Sequence, residues 1–268
     1  MIIGGRNFDT ENRTYIMGIL NVTPDSFSDG GKWNSKDAML FHAEEMIKEG
    51  ADIIDIGGES TRPGYTLLSD EEEISRIYPA IEAVKQNFDI PVSIDTYKGN
   101  VFRAAVDAGA DMLNDIWGLK YDNIIAAEAA ESNLPCCLMH NRKTAVYENY
   151  LEDLKRDLQG SVDIAKKAGI KDENIILDPG VGFAKSYEQN MIIMNHLEIL
   201  KELGYPVLLG TSRKSMIGLT LNLPSDERLE GTIATTVMGV MKGCAFIRVH
   251  DVKENKRAVR MTEEILKY

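Results

Sequence analysis

The sequence contains few cysteines and no arrangement of them that indicates pairing. Of its 268 residues, only Cys136, Cys137 and Cys244 are cysteines, and the first two are adjacent within an apolar run. A disulfide framework is therefore not expected, and the composition favours a reduced, cytoplasmic protein. The four histidines are dispersed along the chain, so no histidine or cysteine cluster has the spacing of a zinc site.

Positive charge and long apolar runs are also scarce. The chain has 30 Lys and Arg against 42 Asp and Glu, which gives a formal net charge of −12. This balance argues against a surface for nucleic acid or anionic membranes, although a local basic pocket for a small anion remains compatible with it. No apolar run is long enough to span a bilayer, and residues 1–9 lack the apolar core of a signal peptide.

Eight short apolar runs are present, each followed by a polar residue and a loop. They are rich in Ile, Val and Leu and mostly do not alternate, which is typical of strands buried on both faces. The runs are residues 15–20, 51–56, 91–94, 111–113, 135–139, 174–177, 206–209 and 245–249.

Amphipathic helical patterns lie between these runs. Eight strand–helix units predict an α/β fold, a (β/α)₈ TIM barrel forming a single domain over residues 1–268. A doubly wound open sheet is the competing interpretation. The barrel is favoured because no linker splits the chain and no G-x-G-x-x-G motif follows the first strand. Residues 1–13 precede that strand and are expected to cover one end of the barrel.

Hydrogen-bonding and charged residues follow nearly every predicted strand, at the end where such barrels build their sites. Asp95, Asn114, Asp178 and Lys214 combine carboxylates, an amide and a cationic donor. This set suits a flat heterocycle with several donors, since a carboxylate can accept two parallel N–H bonds. The alternative is a buried ion-pair network in which Lys214 pairs with Asp178 or Asp95.

A second set has the chemistry of an anion site. Arg248 and His250 flank the end of the last strand, a common phosphate position in these barrels, and Arg62 and Asn21 can join them. Asn21, with Asp29, can complete a Mg²⁺ site shared with phosphate oxygens, because Mg²⁺ takes few protein ligands and several waters.

Three loops extend this site. The first, residues 21–31, is long and polar, and ordering it is costly unless a ligand contributes. A Gly- and Pro-rich loop over residues 57–64 presents Thr61 and Arg62. Phe183 offers a flat apolar face, or else it is a structural aromatic. Ser215 begins a short helix whose free N–H groups can bind a carboxylate.

These motifs resemble those of the dihydropteroate synthases. The resemblance covers about residues 14–268, in the right order and spacing. It is carried by MGILNVTPDSFSDGG, DIIDIGGESTRPG, SIDTYK, NDIWG, LMH, ILDPGVGFAK, LLGTSRKSMIG and RVHDV. The chain departs from many relatives at residues 141–147, after His140, where those relatives carry a Gly/Pro-containing loop.

The resemblance implies a transferase of folate biosynthesis with a (β/α)₈ barrel, usually a homodimer, that uses Mg²⁺ and is inhibited by sulfonamides acting as 4-aminobenzoate mimics. The implied reaction joins 6-hydroxymethyl-7,8-dihydropterin diphosphate to 4-aminobenzoate. The implied pterin site is Asp95, Asn114, Ile116, Met139, Asp178, Gly210 and Lys214. The implied diphosphate site is Asn21, Arg62, Arg248 and His250. The implied aminobenzoate site is Thr61, Pro63, Phe183 and Ser215, closed over by Phe27 and Asp29.

Within this interpretation, Asp95, Asp178, Lys214, Arg248 and His250 are the expected catalytic residues. Diphosphate departure before arylamine attack is the expected route, since a dihydropterin can stabilise positive charge at its exocyclic methylene. The absence of a nucleophile–base pair fits a route that needs no strong base. Two rival functions share parts of this site. A methyltetrahydrofolate–corrinoid methyltransferase would not need the loop after Asn21 or the Arg-Val-His corner. A non-catalytic pterin-binding paralogue would be expected to have lost them.

Overall fold

The computed structural model describes residues 1–23, 35–59 and 67–268. Eight parallel strands follow one another in the order β8-β7-β6-β5-β4-β3-β10-β9. An isolated parallel bridge between Leu177 and Val207 joins the two outer strands of this order. The predicted (β/α)₈ barrel is therefore confirmed, and the open doubly wound sheet is excluded.

The elements alternate along the chain as the sequence pattern predicts. A small hairpin precedes the barrel, which begins at β3. The strands are β1 Ile2–Ile3, β2 Arg6–Asn7, β3 Tyr15–Asn21, β4 Ile53–Gly57, β5 Val92–Asp95, β6 Met112–Asp115, β7 Cys136–Met139, β8 Ile175–Asp178, β9 Leu208–Gly210 and β10 Phe246–Val249. The helices are α1 Ser35–Glu49, α2 Asp70–Asn87, α3 Gly99–Asp107, α4 Ile125–Ser132, α5 Tyr150–Ala168, α6 Tyr187–Asn195, α7 Ser215–Leu221, α8 Leu229–Met241 and α9 Val252–Ile265.

Side chains on each barrel strand alternate between two cores. On β4, Ile54 and Ile56 point outward into the layer between sheet and helices. Ile53 instead points into the barrel, where it joins Met17 and Met112 in a separate apolar cluster. Because the barrel strands are buried on both faces, the sequence shows mostly apolar runs rather than the alternation of a half-exposed sheet.

The hairpin of β1 and β2 lies against the amino-terminal end of the barrel. Ile3 is fully buried and Phe8 nearly so, both within the apolar cluster inside the barrel. The ring centroids of Phe8 and Phe246 are 6.0 Å apart. This end is thus filled with apolar side chains, which leaves the carboxyl end of the strands for polar chemistry.

Capping explains several helix boundaries. Ser186 and Gln189 form the reciprocal capping box expected at the start of α6, and the Ser69 hydroxyl accepts a hydrogen bond from the Glu72 backbone N–H. Helices α4 and α8 show little amphipathic pattern, because α4 is rich in small Ala residues and α8 buries Thr232 and Thr236. Within the described ranges, no helix has the length and apolarity needed to cross a membrane.

Candidate active site at the carboxyl end of the barrel

The site is built from side chains that point into the barrel near the ends of its strands. Neighbouring strands pair Gly57 with Asp95 and Asp95 with Asn114, so these positions lie at one level. Across the barrel, Arg248 pairs in register with Gly210. Since side chains alternate along a strand, residues two apart point to the same side, so Asp55 points into the barrel one level below Gly57.

An arginine and two carboxylates meet inside the barrel. Arg248 donates from Nε to Asp55 Oδ2 at 2.6 Å and from a terminal guanidinium nitrogen to Asp95 Oδ2 at 2.7 Å. Asn114 Nδ2 also donates to Asp55 Oδ2, at 3.2 Å. Asp55 is fully buried, and Arg248 is its charge partner. The arrangement fixes the guanidinium in one orientation beneath the mouth of the barrel.

Burial and neighbouring charges shift the pKa values of Asp95 and Arg248. Burial raises the pKa of Asp95 to about 7, while Arg248 opposes the rise and Asp55 adds to it. The two carboxylates beside Arg248 raise its pKa above the ordinary arginine value, although burial acts against them. Burial therefore opposes the charged form of Asp95, whereas the ion pair with Arg248 favours it.

Asp178 and Lys214 face the opposite part of the mouth. Asp178 Oδ1 accepts a hydrogen bond from the Gly180 backbone N–H at 2.6 Å. Its other oxygen lies beside Gly210, 3.9 Å from where a Cβ on that glycine would be. A side chain at residue 210 would therefore narrow the approach to this carboxylate.

Burial shifts the pKa of both groups toward their neutral forms. It raises the pKa of Asp178, against the attraction of Lys214. It lowers the pKa of Lys214 to about 8, against the attraction of Asp178. Lys214 Nζ donates to the Val181 carbonyl and lies 4.7 Å from the centre of the Phe183 ring. Lys214 is thus held over one face of that ring.

An apolar wall completes the described part of the site. Tyr97, Ile116 and Met139 form a small buried cluster separate from the two main cores. Trp117 and Phe183 pack against it. A flat apolar wall next to carboxylates, an amide and an ammonium group is the arrangement expected for an aromatic heterocycle with polar edges.

The chain matches the family described as pterin binding enzyme over residues 17–250. It is 63% identical to the dihydropteroate synthase of Clostridium beijerinckii over the full length of both chains. It is 56% identical to the enzyme of Bacillus subtilis, covering 96% of this chain and 90% of the relative.

Solved structures agree. The dihydropteroate synthase of Clostridium difficile, crystallised in the presence of pteroic acid, superposes with a TM-score of 0.95 at 50% identity, covering 98% of this chain and 100% of the other. The enzyme of Xanthomonas albilineans with 4-aminobenzoic acid gives a TM-score of 0.92 at 40% identity, covering 96% and 94%. The chain belongs to the dihydropteroate synthase family. Members of this family are transferases of folate biosynthesis.

The structure brings together the larger part of the site predicted from this family resemblance. Asp95, Asn114, Ile116, Met139, Asp178, Gly210, Lys214, Phe183 and Arg248 all lie around the mouth. Ser215 is the exposed first residue of α7. Phe27, Asp29, Thr61, Arg62 and Pro63 lie outside the described residues, as do the larger parts of the first two loops.

The predicted anion corner has two parts in the structure. The hydroxyl of Ser212 and Nδ1 of His250 are 2.9 Å apart, and the same hydroxyl accepts from the His250 backbone N–H at 3.2 Å. This pair holds the imidazole at the end of β10. Arg248 is two residues earlier on that strand, but it is turned to the carboxylates of Asp55 and Asp95. It therefore links the two predicted halves of the site.

Asn21 is half-buried at the end of β3, where a Mg²⁺ site was predicted. Its Oδ1 would be 3.6 Å from a Cβ on Gly57, so the missing side chain at residue 57 leaves space beside this amide oxygen. Within residues 1–23, 35–59 and 67–268, no group of three or more His, Cys, Asp or Glu residues could hold a metal ion. The described residues thus fit only an ion held mainly by water and substrate oxygens.

Two parts of the site were not assigned from the sequence. Asp55 is a carboxylate within the second apolar run, inside β4, and it points into the barrel. Its position two residues after the inward-facing Ile53 was the available signal. Asp115, which follows Asn114, turns away from the mouth and accepts hydrogen bonds from the backbone N–H groups of Trp117 and Leu119.

The second unassigned part is a buried polar chain behind Phe183. His140 is fully buried, with Lys185 Nζ 2.9 Å from its Nδ1 and Asp157 Oδ2 3.1 Å from its Nε2. Burial lowers the pKa of His140 to about 3, and the charge of Lys185 acts in the same direction. The imidazole is therefore neutral, with Nδ1 accepting from Lys185 and Nε2–H donating to Asp157.

Proposed function

We propose that this protein condenses 6-hydroxymethyl-7,8-dihydropterin diphosphate with 4-aminobenzoate, giving 7,8-dihydropteroate and diphosphate. The observation that carries the proposal is the convergence of Asp95, Asn114, Asp178 and Lys214 beside an apolar wall. Relatives of known structure were crystallised with pteroic acid and with 4-aminobenzoic acid.

Recognition of the pterin follows from the donors and acceptors of its two edges. A carboxylate such as that of Asp178 can accept paired N–H bonds from an amino group and a ring nitrogen. The amide of Asn114 complements a lactam edge, and the Lys214 ammonium can donate to a ring acceptor. Ile116 and Met139 then pack on the flat faces of the ring.

The reaction proceeds by departure of diphosphate before attack by the arylamine. The bond between the exocyclic methylene carbon and the diphosphate oxygen breaks, and its electron pair leaves with the diphosphate. The amine nitrogen of 4-aminobenzoate then forms the new C–N bond and loses a proton to water. An arylamine is already a neutral nucleophile, so no strong base is needed at this step.

The side chains of this chain stabilise both products of the first step. Arg248 and His250 interact with the negative charge that develops on diphosphate. Asp95 and Asp178 lie where they attract the cation on the pterin, and Asp55, beneath Arg248, adds negative charge. Exclusion of water when the substrates fill the mouth would strengthen these interactions and protect the cation from hydrolysis.

Asn21 would hold Mg²⁺ together with Asp29 and substrate phosphate oxygens. When bound, the ion would neutralise charge on the leaving diphosphate. Asn21 itself needs only to direct its amide oxygen into the space beside Gly57.

The same proposal extends to assembly, inhibition and location. Several large apolar side chains on the adjacent helices α8 and α9 are exposed, namely Met238, Met241, Met261 and Ile265. We assign this surface to a homodimer contact.

Sulfonamides would compete with 4-aminobenzoate for the position next to Phe183. The three buried free cysteines fit a reducing cytoplasm.

The test is release of diphosphate from the dihydropterin substrate by the purified protein, with and without 4-aminobenzoate and Mg²⁺. Formation of 7,8-dihydropteroate with stoichiometric diphosphate is expected only when both organic substrates and Mg²⁺ are present. Binding of the pterin without any turnover would overturn the proposed reaction and leave a pterin-binding protein.

A further inference from the structure

Phe183 is placed by a short segment in an unusual backbone conformation. Its neighbour Ala184 has a φ of +43°, in the left-handed region that alanine rarely adopts. The segment follows β8 and ends at Lys185, immediately before the cap of α6. Because the conformation is unfavourable for a residue with a Cβ, contacts from elsewhere must hold it.

Two side chains bind the consecutive carbonyl groups of this segment. Lys185 Nζ donates to the Phe183 carbonyl at 2.9 Å. The Tyr147 hydroxyl, which belongs to the loop between β7 and α5, donates to the Ala184 carbonyl at 2.8 Å. Each peptide unit beside the strained residue is thus fixed by its own donor.

Both donors are supported by one carboxylate on α5. Asp157 Oδ2 lies 3.1 Å from His140 Nε2, and the other imidazole nitrogen accepts from Lys185. The same oxygen accepts from Arg142 Nε at 2.5 Å. The guanidinium carbon of Arg142 lies 4.2 Å from the centre of the Tyr147 ring. Two chains of contacts therefore connect Asp157 to the turn. One passes through His140 and Lys185, and the other through Arg142 and Tyr147.

We propose that Tyr147 and Lys185 are positioning residues that hold the Phe183–Ala184 turn, so that the loop between β7 and α5 sets the aromatic wall of the substrate site. This inference deepens the proposed function and rests on it. The ring of Phe183 packs against the Tyr97, Ile116 and Met139 cluster and lies beneath Lys214. Loss of the hydrogen bond to the Ala184 carbonyl lets the turn relax, which moves the Phe183 ring away from this cluster and from Lys214.

The chain supplies a matched control for the Tyr147 hydroxyl. Tyr150 is three residues later, and its ring packs edge-on against Tyr147 at a centroid distance of 4.9 Å. Its hydroxyl is buried, and it forms no hydrogen bond with any residue in the described ranges. Tyr147→Phe and Tyr150→Phe therefore remove the same atom from neighbouring rings, but only the first change removes a contact to the turn.

The test compares both variants with the unaltered protein by calorimetric binding of pteroate and by steady-state turnover. Tyr147→Phe is expected to raise both the Kd for pteroate and the KM for 4-aminobenzoate by about 3- to 10-fold. This is the effect expected for the loss of one neutral hydrogen bond. kcat is expected to change less than twofold, because the reacting groups are untouched. Tyr150→Phe is expected to match the unaltered protein in both measurements.

A second substitution separates positioning from general loss of packing. Ala184→Gly makes the left-handed conformation an ordinary one. In the Tyr147→Phe background it is expected to recover at least half of the lost affinity. Equal pteroate binding by Tyr147→Phe and Tyr150→Phe would overturn the inference, and so would the absence of rescue by Ala184→Gly. Failure of the unaltered protein to release diphosphate would instead overturn the proposed reaction, while pteroate binding would still decide the role of Tyr147.

Discussion

Arg248 and Asp55 form a buried ion pair inside the barrel, with Nε and Oδ2 separated by 2.6 Å. Asp55 is completely buried, and its second oxygen has no hydrogen-bond partner in the part of the chain that the structure describes. The guanidinium also reaches Asp95 at 2.7 Å. The single positive charge of Arg248 is thus shared between two carboxylates, so this group of three side chains keeps one net negative charge when both carboxylates are ionised.

Replacing Arg248 by Ala is expected to lower both stability and turnover. The free energy of unfolding should fall by about 3–5 kcal/mol, because two buried carboxylates lose their partner. Turnover should fall by at least about 100-fold, since the diphosphate also loses its guanidinium. Urea denaturation and steady-state kinetics measure the two effects. Arg6→Ala is the control, because Arg6 pairs with the fully exposed Asp89, and its urea midpoint should stay close to that of the unaltered protein. Unchanged kinetics in Arg248→Ala would contradict the assignment.

Asp178→Asn is expected to weaken pterin binding while preserving the fold. The amide keeps the size of the carboxylate and can still accept from the Gly180 N–H. It cannot accept two parallel N–H bonds, so affinity for the pterin should fall roughly 10- to 100-fold. Calorimetry with a pterin ligand measures this. Asp172→Asn, at an exposed ion pair with Lys166, provides the same chemical change away from the site and should leave affinity as it is.

Lys98→Met is expected to destabilise the protein in a pH-dependent way. Lys98 Nζ lies 2.8 Å from Glu59 and 2.7 Å from Glu73, and all three side chains are buried. At pH 8 the loss should be about 3–5 kcal/mol, because two buried carboxylates are left facing each other. Burial raises the pKa of Glu73, although Lys98 opposes this. At pH 5 the penalty should be smaller, since Glu73, whose pKa burial already raises, can take up a proton once the lysine is absent.

The control for this experiment is Lys267→Met, which breaks an exposed pair with Glu264. Its urea midpoint should match that of the unaltered protein at both pH values. A penalty for Lys98→Met of the same size at pH 5 and pH 8 would show that packing, not charge, makes the contribution. Lys98 also donates to the Leu68 carbonyl, and Glu59 accepts from the Leu68 N–H. Because the loop predicted to present Thr61 and Arg62 lies between Glu59 and Leu68 in the sequence, the substitution is expected to lower turnover as well.

Lys185 is expected to give the stability a rising pH dependence between about pH 7 and 10. Burial lowers its pKa to about 7 in the folded chain, whereas the ordinary lysine value is 10.5. Between these values the unfolded chain holds a proton that the folded chain has lost, so unfolding becomes less favourable as the pH rises. Below about pH 7 both states are protonated, and the dependence disappears. A neutral amine still has two N–H donors, which suffice for its bonds to His140 and Phe183.

Urea denaturation of the unaltered protein and of Lys185→Met over this pH range tests the assignment, because their difference removes the contribution of other groups. The difference should shift in favour of the unaltered protein from pH 7 to pH 10 and stay constant from pH 5.5 to 6.5. A constant difference across the whole range would mean that Lys185 remains charged in the folded state.

The order of strands and helices was readable because each buried strand is a compact apolar run and each end is marked by a polar residue. Asp95, Asn114 and Asp178 could be assigned to one site because the carboxyl ends of parallel strands meet at one edge. Helix α8 has no clear apolar period, because Thr232 and Thr236 are buried whereas Met238 and Met241 are exposed.

The sequence by itself determined which chemical groups stand at the strand ends, since local apolar patterning places them there whatever the details of packing. Only the tertiary structure decided which of these groups pair. Arg248 meets Asp55 across 193 residues and Asp95 across 153, and Tyr147 meets Ala184 from a different loop. Such contacts depend on barrel closure and on the alternation of side chains between two cores. Short-range patterning carries no information about either, so the electrostatic balance of the site is a property of the closed barrel.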